Sequence, residues 1–268
     1  MKPLQYWTPN GFEISSFQFK LDERKGKIHR TSGSDNTGKC FYTYNELGFR
    51  GDSIHKDGFK VMSLGCSNTE GVGVCDTETW PHQFTSLIPN GVDMNFGTGG
   101  RSNDFICRCL LTYFDLIKPD LVLVMYTGPQ RREVYTKNGG IEPYMITHSW
   151  GFLNETDEGK QIQENLSQLQ NDNQDFINWY KNHLIIKYFL ESKKCNWVWN
   201  GSFQIPKEYI DDTIRFDGDY GDFIDKAVDN GHPGPQHNKL YAHKLHKFIF
   251  EKHPNYIDYL PKKIQNLI

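Results

Sequence analysis

Three residues in this chain have the types and spacing to do chemistry together: Ser67, Asp229 and His232. A serine hydroxyl is a weak nucleophile until a base takes its proton, and an imidazole oriented by a carboxylate is a common base. "DNGHPG" places Asp229 three residues before His232. On a tight turn that spacing lets one carboxylate oxygen meet Nδ1–H while Nε2 points outward. Asp-x-x-His is frequent by chance, and a capping or surface histidine is the ordinary reading of His232 taken alone.

Ser67 lies in "FKVMSLGCSNTEGVGV". A short apolar run closed by Gly65 reads as a buried strand, followed by a sharp turn into a helix. Such a turn pushes Oγ into a site and supplies N–H groups for developing negative charge. Ser53, in the literal Gly-Asp-Ser at 51–53, has no such setting. Polar, glycine-broken "NELGFR" precedes it and the turn "IHKDG" follows it. Ser53 is therefore expected to be a turn residue. The Arg-Gly-Asp at 50–52 carries no weight as an adhesion tripeptide. In "NFGTGGRS" (95–102), Gly97 and Gly100 follow a strand, where a backbone N–H can face the same pocket as Ser67. The plain alternative is a flexible strand-to-helix loop. Together the three pieces fall at strand ends in compatible order.

These residues need a scaffold. "FKVMSLG", "GVDMNFG", "KPDLVLVMY" and "CNWVWN" read as strands. "ETWPHQFTSLI", "SNDFICRCLLTYFDLI", "DFINWYKNHLIIKYFLESKK" and "GPQHNKLYAHKLHKFIFEKH" read as helices between and after them. Leu121 to Tyr126 is apolar throughout, as suits the middle of a parallel sheet. Alternation of strands and helices predicts a parallel α/β sheet covered on both faces, with the site beyond the carboxyl ends of the strands. Residues 1–59 are expected to form an N-terminal β-rich extension packed on a core of residues 60–268. A long polar loop insertion is expected at about 127–172.

The bulk numbers are those of a globular domain. The chain has 268 residues, 37% hydrophobic and 14% aromatic, with a formal net charge of -3. That balance excludes the basic footprint of a nucleic-acid binder. No apolar run is long enough to span a membrane, and no signal peptide is recognisable, so a cytoplasmic location is expected. Six cysteines without CxxC spacing are expected to be reduced thiols, with pairing in an oxidising setting as the alternative.

With these blocks in view, the sequence resembles the SGNH hydrolases, also called the GDSL esterase/lipase superfamily. "KVMSLGCSNTEGVGV" is similar to the nucleophile block, "NFGTGGRS" to the glycine block and "DNGHPGPQHNKLYAHKLHKFI" to the Asp-x-x-His block. The resemblance spans roughly residues 44 to 252. It implies a three-layer α/β/α sandwich, flavodoxin-like, with a five-stranded parallel sheet. It implies Ser67 as nucleophile, His232 as base, Asp229 as orienting acid, and the N–H groups of Ser67 and Gly100 in the oxyanion hole.

Two departures stand out. Cys66 occupies the place where the family usually has Asp. "MYTGPQRRE" follows the central strand where the family has Gly-x-Asn-Asp, whose Asn donates to the oxyanion. By position Gln130 stands nearest that Asn, and Arg131 or Arg132 offers a cationic donor to substrate. Losing one oxyanion donor costs roughly a hundred- to a thousandfold in kcat.

The remaining candidates are weaker. Cys66 competes poorly with Ser67, because neighbours on a sharp turn point apart. His232, His237, His243 and His246 lack zinc-site spacing, and no metal or other cofactor is expected. "GTGG" before Arg101 lacks phosphate-loop spacing. Trp179, Trp197 and Trp199 are expected in the core, and Trp150 is the tryptophan expected to face a ligand. The expected function is a serine esterase acting on a short, acetyl-like ester, on a small molecule or a glycan. The alternatives are an SGNH-fold carbohydrate-binding or structural protein that has lost turnover, and an O-acyltransferase.

Overall fold

The chain is seen here as a computed structural model, which describes residues 28–30, 41–135, 141–145, 171–201, 215–216 and 223–253, with 160–161, 164–165 and 168. A short antiparallel pair, β1 (Ile28–Arg30) and β2 (Phe41–Thr43), comes first. The core follows as β3 (Phe59–Leu64), α1 (Ser67–Glu70), α2 (Trp80–Thr85), β4 (Gly91–Asn95), α3 (Asn103–Ile117) and β5 (Leu121–Tyr126). After it come β6 (Arg131–Tyr135), β7 (Ile141–Met145), α4 (Asp172–Ser192), β8 (Asn196–Gly201) and α5 (Pro235–Lys252).

β4, β3, β5 and β8 form one sheet in that order, with every pair parallel. Burial on both faces explains the continuous apolar runs. Met62, Leu64, Val122, Val124 and Tyr126 face one core, shared with Phe105 and Leu110 of α3 and Trp179 and Ile186 of α4. Val61, Leu121, Leu123, Met125 and Val198 face the other, shared with Trp80 and Phe84 of α2 and Tyr241 and Leu245 of α5. The architecture is therefore the expected three-layer α/β/α sandwich. The described sheet has four strands where five were expected; a single parallel bridge, Trp199 to Arg215, continues it beyond β8. Trp179, Trp197 and Trp199 are all buried in the core.

Part of the expected loop insertion is regular structure. β6 and β7 pair antiparallel as a hairpin, and the composition hid it because its fasteners lie elsewhere in the chain. Glu133 pairs with Arg108 at 2.5 Å and its N–H donates to Asp104, both on α3. Arg132 donates to Asp175 and to the Gln174 carbonyl on α4. Asp104 also accepts from Asn178 and Asn182, tying α3 to α4 beneath the hairpin.

The expectation of reduced cysteines needs a correction. Cys75 is disulfide-bonded, whereas Cys66, Cys107, Cys109 and Cys195 are free. Disulfide formation depends on spatial approach, which sequence spacing does not reveal. Among the described residues, no helix is long and apolar enough to cross a membrane.

Candidate active site

β3 delivers Ser67. The strand ends at Leu64, and α1 begins at Ser67 after Gly65 and Cys66. Gly65 is required by close approach: a Cβ there would overlap Thr69 Oγ1 and come within 3.2 Å of the Met125 carbonyl at the end of β5. The Cys66 carbonyl accepts from Thr69 and Glu70, starting the helical turn. Among the described residues the Ser67 hydroxyl has one hydrogen-bond partner, Cys66 Sγ at 4.0 Å, and it is not hydrogen-bonded to His232. Catalytic hydrogen bonds are often long in ligand-free enzymes and tighten when substrate binds.

The glycine-rich segment after β4 wraps the same turn. Thr98 N–H donates to the Gly65 carbonyl at 3.3 Å, and Asn95 Nδ2 to the Thr69 carbonyl at 2.9 Å. Gly99 N–H donates to the buried Glu70 carboxylate at 2.6 Å, and a Cβ on Gly99 would stand 3.8 Å from Ser67 Cβ. With Gly99 so engaged, the next amide is that of Gly100, which adopts φ +71. Ser102 then caps α3 through Phe105 N–H. Asn103 clamps the exit of β5 by accepting from Thr127 N–H and donating to its carbonyl.

Asp229 and His232 sit on a turn before α5. Asp229 Oδ2 lies 2.5 Å from His232 Nδ1, while Oδ1 accepts the N–H groups of Gly231 and His232 at 3.0 and 3.1 Å. The ionised carboxylate only accepts, so Nδ1 carries the proton and Nε2 is left as the basic nitrogen. Burial alone would raise the Asp229 carboxyl. The His232 hydrogen bond and charge and the Gly231 and His232 N–H groups together hold it below its ordinary value. Behind the turn, Asp225 accepts from Gln236 and His237 N–H groups and so caps α5.

Gly73 joins the two halves. Its carbonyl accepts from Val228 N–H at 3.2 Å. Its Cα faces the turn so closely that a Cβ would lie 2.7 Å from Ala227 Cβ and 3.1 Å from Asp229 Oδ1. Tyr42 of β2 receives the Gly73 N–H on its hydroxyl at 2.5 Å. The loop carrying Ser67 and the turn carrying the Asp229–His232 pair are thus in direct contact.

Sequence reasoning missed what fixes this loop. Arg50 is 1% exposed. It donates through Nη1 to the carbonyls of Glu70 and Gly71, through Nη2 to the carbonyl of Val74, and through Nε and Nη2 to Asp76. Tyr42 stacks on it, with Cζ 4.0 Å from the ring centroid. The Gly-Phe-Arg-Gly run at 48–51 held the signal, an arginine flanked by glycine just ahead of the core, but its partners are carbonyls that sequence does not display. Ser53 is exposed and donates to Glu46, as a turn residue should.

The segment after β5, where the resemblance leads one to expect Gly-x-Asn-Asp, forms a turn. Arg131 N–H closes a turn on the Gly128 carbonyl, and the Gln130 amide folds back against Gly128. Arg131 Nη1 is buried and makes no hydrogen bond among the described residues, whereas Arg132 is committed to α4. Trp150 lies outside the described residues.

No family model and no curated protein matches the sequence. Among solved structures, the chain is similar to a protein described as lipolytic, of the G-D-S-L family, from Desulfitobacterium hafniense DCB-2. The TM-score is 0.34 at 11% identity, covering 71% of this chain and 99% of that one. It is similar to a carbohydrate acetylesterase family member from Sinorhizobium meliloti, with TM-score 0.34 at 13% identity over 72% of this chain and 98% of that one. It is also similar to a gut microbial diltiazem-metabolizing enzyme, with TM-score 0.32 at 16% identity, over 76% of this chain and 35% of that one.

Proposed function

We propose that this chain is a serine ester hydrolase of the SGNH type, in which Ser67, His232 and Asp229 act as nucleophile, base and orienting acid. The observation that carries this reading is the Asp229–His232 pair, held with Nε2 as the basic nitrogen on a turn that packs against the Ser67 loop through Gly73. His232 takes the Ser67 proton as Oγ attacks an ester carbonyl, then returns it to the leaving alcohol. Water, deprotonated by the same imidazole, releases the acid from the acyl-enzyme. The N–H groups of Ser67 and Gly100 receive the oxyanion. Gln130 or Arg131 supplies the third donor. A short acetyl-like ester on a small molecule or glycan is the substrate class, with Trp150 as a stacking surface for the sugar.

A second reading has one observation in its favour. The Gln130 amide lies against its own turn at Gly128, so the third oxyanion donor is not set as an Asn would be. In that reading the fold binds carbohydrate and turns over little, or passes the acyl group to a sugar. Acetate release from 4-nitrophenyl acetate and from an acetylated xylo-oligosaccharide separates the readings. The hydrolase reading expects release that falls at least about 10⁴-fold in Ser67→Ala. Folded wild type with no release above background, with or without an acceptor sugar, rejects it.

A further inference from the structure

A cavity of about 630 Å³ lies at the other end of the sheet from Ser67. Asp52, Lys56, His82, Thr85 and Asp93 line it, with Gly58 and Gly91 at the amino ends of β3 and β4. Asp93 is the anomaly. Its register partner is Val61, which faces the apolar core under α2 and α5. A strand buried on both faces takes aliphatic residues there. Asp93 is 3% exposed, and its Oδ1 has no hydrogen-bond partner among the described residues. A buried carboxyl oxygen left unpaired destabilises the fold, so its retention needs a reason.

Oδ1 is closed off from solvent, so a ligand in the cavity would meet the carboxyl at Oδ2, on the side of His82, and the surroundings specify its chemistry. Asp52 is zipped to β4: its N–H donates to the Asp93 carbonyl at 2.8 Å, and its Oδ2 accepts the Asp93 N–H at 3.0 Å. Lys56 is already engaged with the same Asp52 oxygen at 2.9 Å. His82 of α2 places Nδ1 4.0 Å from Asp93 Oδ2. Burial first, then the Asp52 and Asp76 charges, push the Asp93 carboxyl up to about 8, against the opposing pull of Arg50 and Lys56. Burial also lowers His82, against the pull of Asp52 and Asp76. The wall therefore presents the Asp52 and Asp93 carboxyls and an imidazole held toward its neutral form, with the Lys56 ammonium drawn to Asp52. Among the described residues no three His, Cys, Asp or Glu side chains are placed to hold a metal ion.

We propose that this cavity binds a small organic cation bearing N–H donors, an alkylammonium or alkylguanidinium group, with Asp93 as its counter-ion. The bound cation stabilises the carboxylate, so at pH 7 the Asp93 proton leaves to solvent as the cation enters. The site is independent of the Ser67 chemistry.

Calorimetric titration at pH 7 with methylguanidinium and ethylammonium chlorides, in two buffers of different ionisation heat, tests this. Tetramethylammonium, which has the charge but no N–H, is the control. The expected result is saturable binding of at least one N–H cation, a buffer-dependent heat reporting proton release, and no binding of tetramethylammonium. Asp93→Asn should weaken binding at least tenfold and remove the buffer dependence. Asp93→Val, which restores an ordinary sheet residue, should fold and fail to bind if the Asn variant is unstable. No saturable binding of either probe, equal binding by either variant, or equal binding of tetramethylammonium overturns the proposal.

Discussion

Arg50 Nη2 lies 2.6 Å from Asp76 Oδ1, and the same buried guanidinium grips three carbonyls of the loop that follows Ser67. One side chain from the lead-in segment thereby shapes the segment between nucleophile and disulfide-bonded Cys75. A lysine has the charge but not the planar fork. Arg50→Lys keeps the charge but strands buried carbonyls of the loop, and is expected to destabilise the fold by about 1–3 kcal/mol. Thermal melting measures this, and a variant that melts with wild type would show the network to be dispensable.

The Gly73–Asp229 contact makes a sharper test of site geometry. Gly73 has φ +82 and no room for a Cβ. Gly73→Ala should displace the Asp229 turn and lower kcat by roughly a hundredfold, the scale of an ångström-sized misplacement. Unchanged kcat in a folded variant would mean that the turn does not have to sit there.

Asp229→Asn tests the orienting role. In the Asn variant the side-chain oxygen keeps the Gly231 and His232 N–H groups, so the amide nitrogen faces Nδ1, donates to it and imposes the wrong tautomer. kcat should fall by about 10⁴-fold with KM little changed. The folded-state carboxyl is held below its ordinary value, so its stabilisation is present above the unfolded value and disappears as pH falls through the lowered one. Chemical denaturation across pH 2 to 6 should show this slope in wild type and a flatter one in the Asn variant.

Asp93 predicts the opposite slope. Its carboxyl is raised from 3.8 to about 8. Between those values the unfolded chain releases the proton and the folded chain keeps it. Stability from this group is therefore full below the lower value and declines as pH rises to the upper one. Asp93→Val should flatten denaturation midpoints over that range and raise them at neutral pH. A wild-type midpoint that climbs from pH 5 to 8 and an unchanged slope in the variant would contradict the assignment.

The sheet was legible because its strands are short apolar runs with clear stops: Gly65 after β3, Gly97 after β4, Pro119 before β5. The Asp229–His232 pair was legible because it is local, closed by three residues of chain. Arg50 was not, since its partners at 70, 71, 74 and 76 come together only when the loop folds. The burial of Asp93 was hidden because "GVDMNFG" alternates like a half-exposed strand, while the segment at 51–52 covers that edge. The β6–β7 hairpin was hidden by its polar composition, for Asp104, Arg108 and Asp175 stabilise it from two helices.

Covalent labelling tests the central claim most directly. A fluorophosphonate should modify the folded chain once, at Ser67, as read by intact mass and peptide mapping. Ser53→Ala should label like wild type, whereas Ser67→Ala should not label. Labelling that survives Ser67→Ala, or folded wild type that resists the reagent, would contradict the account.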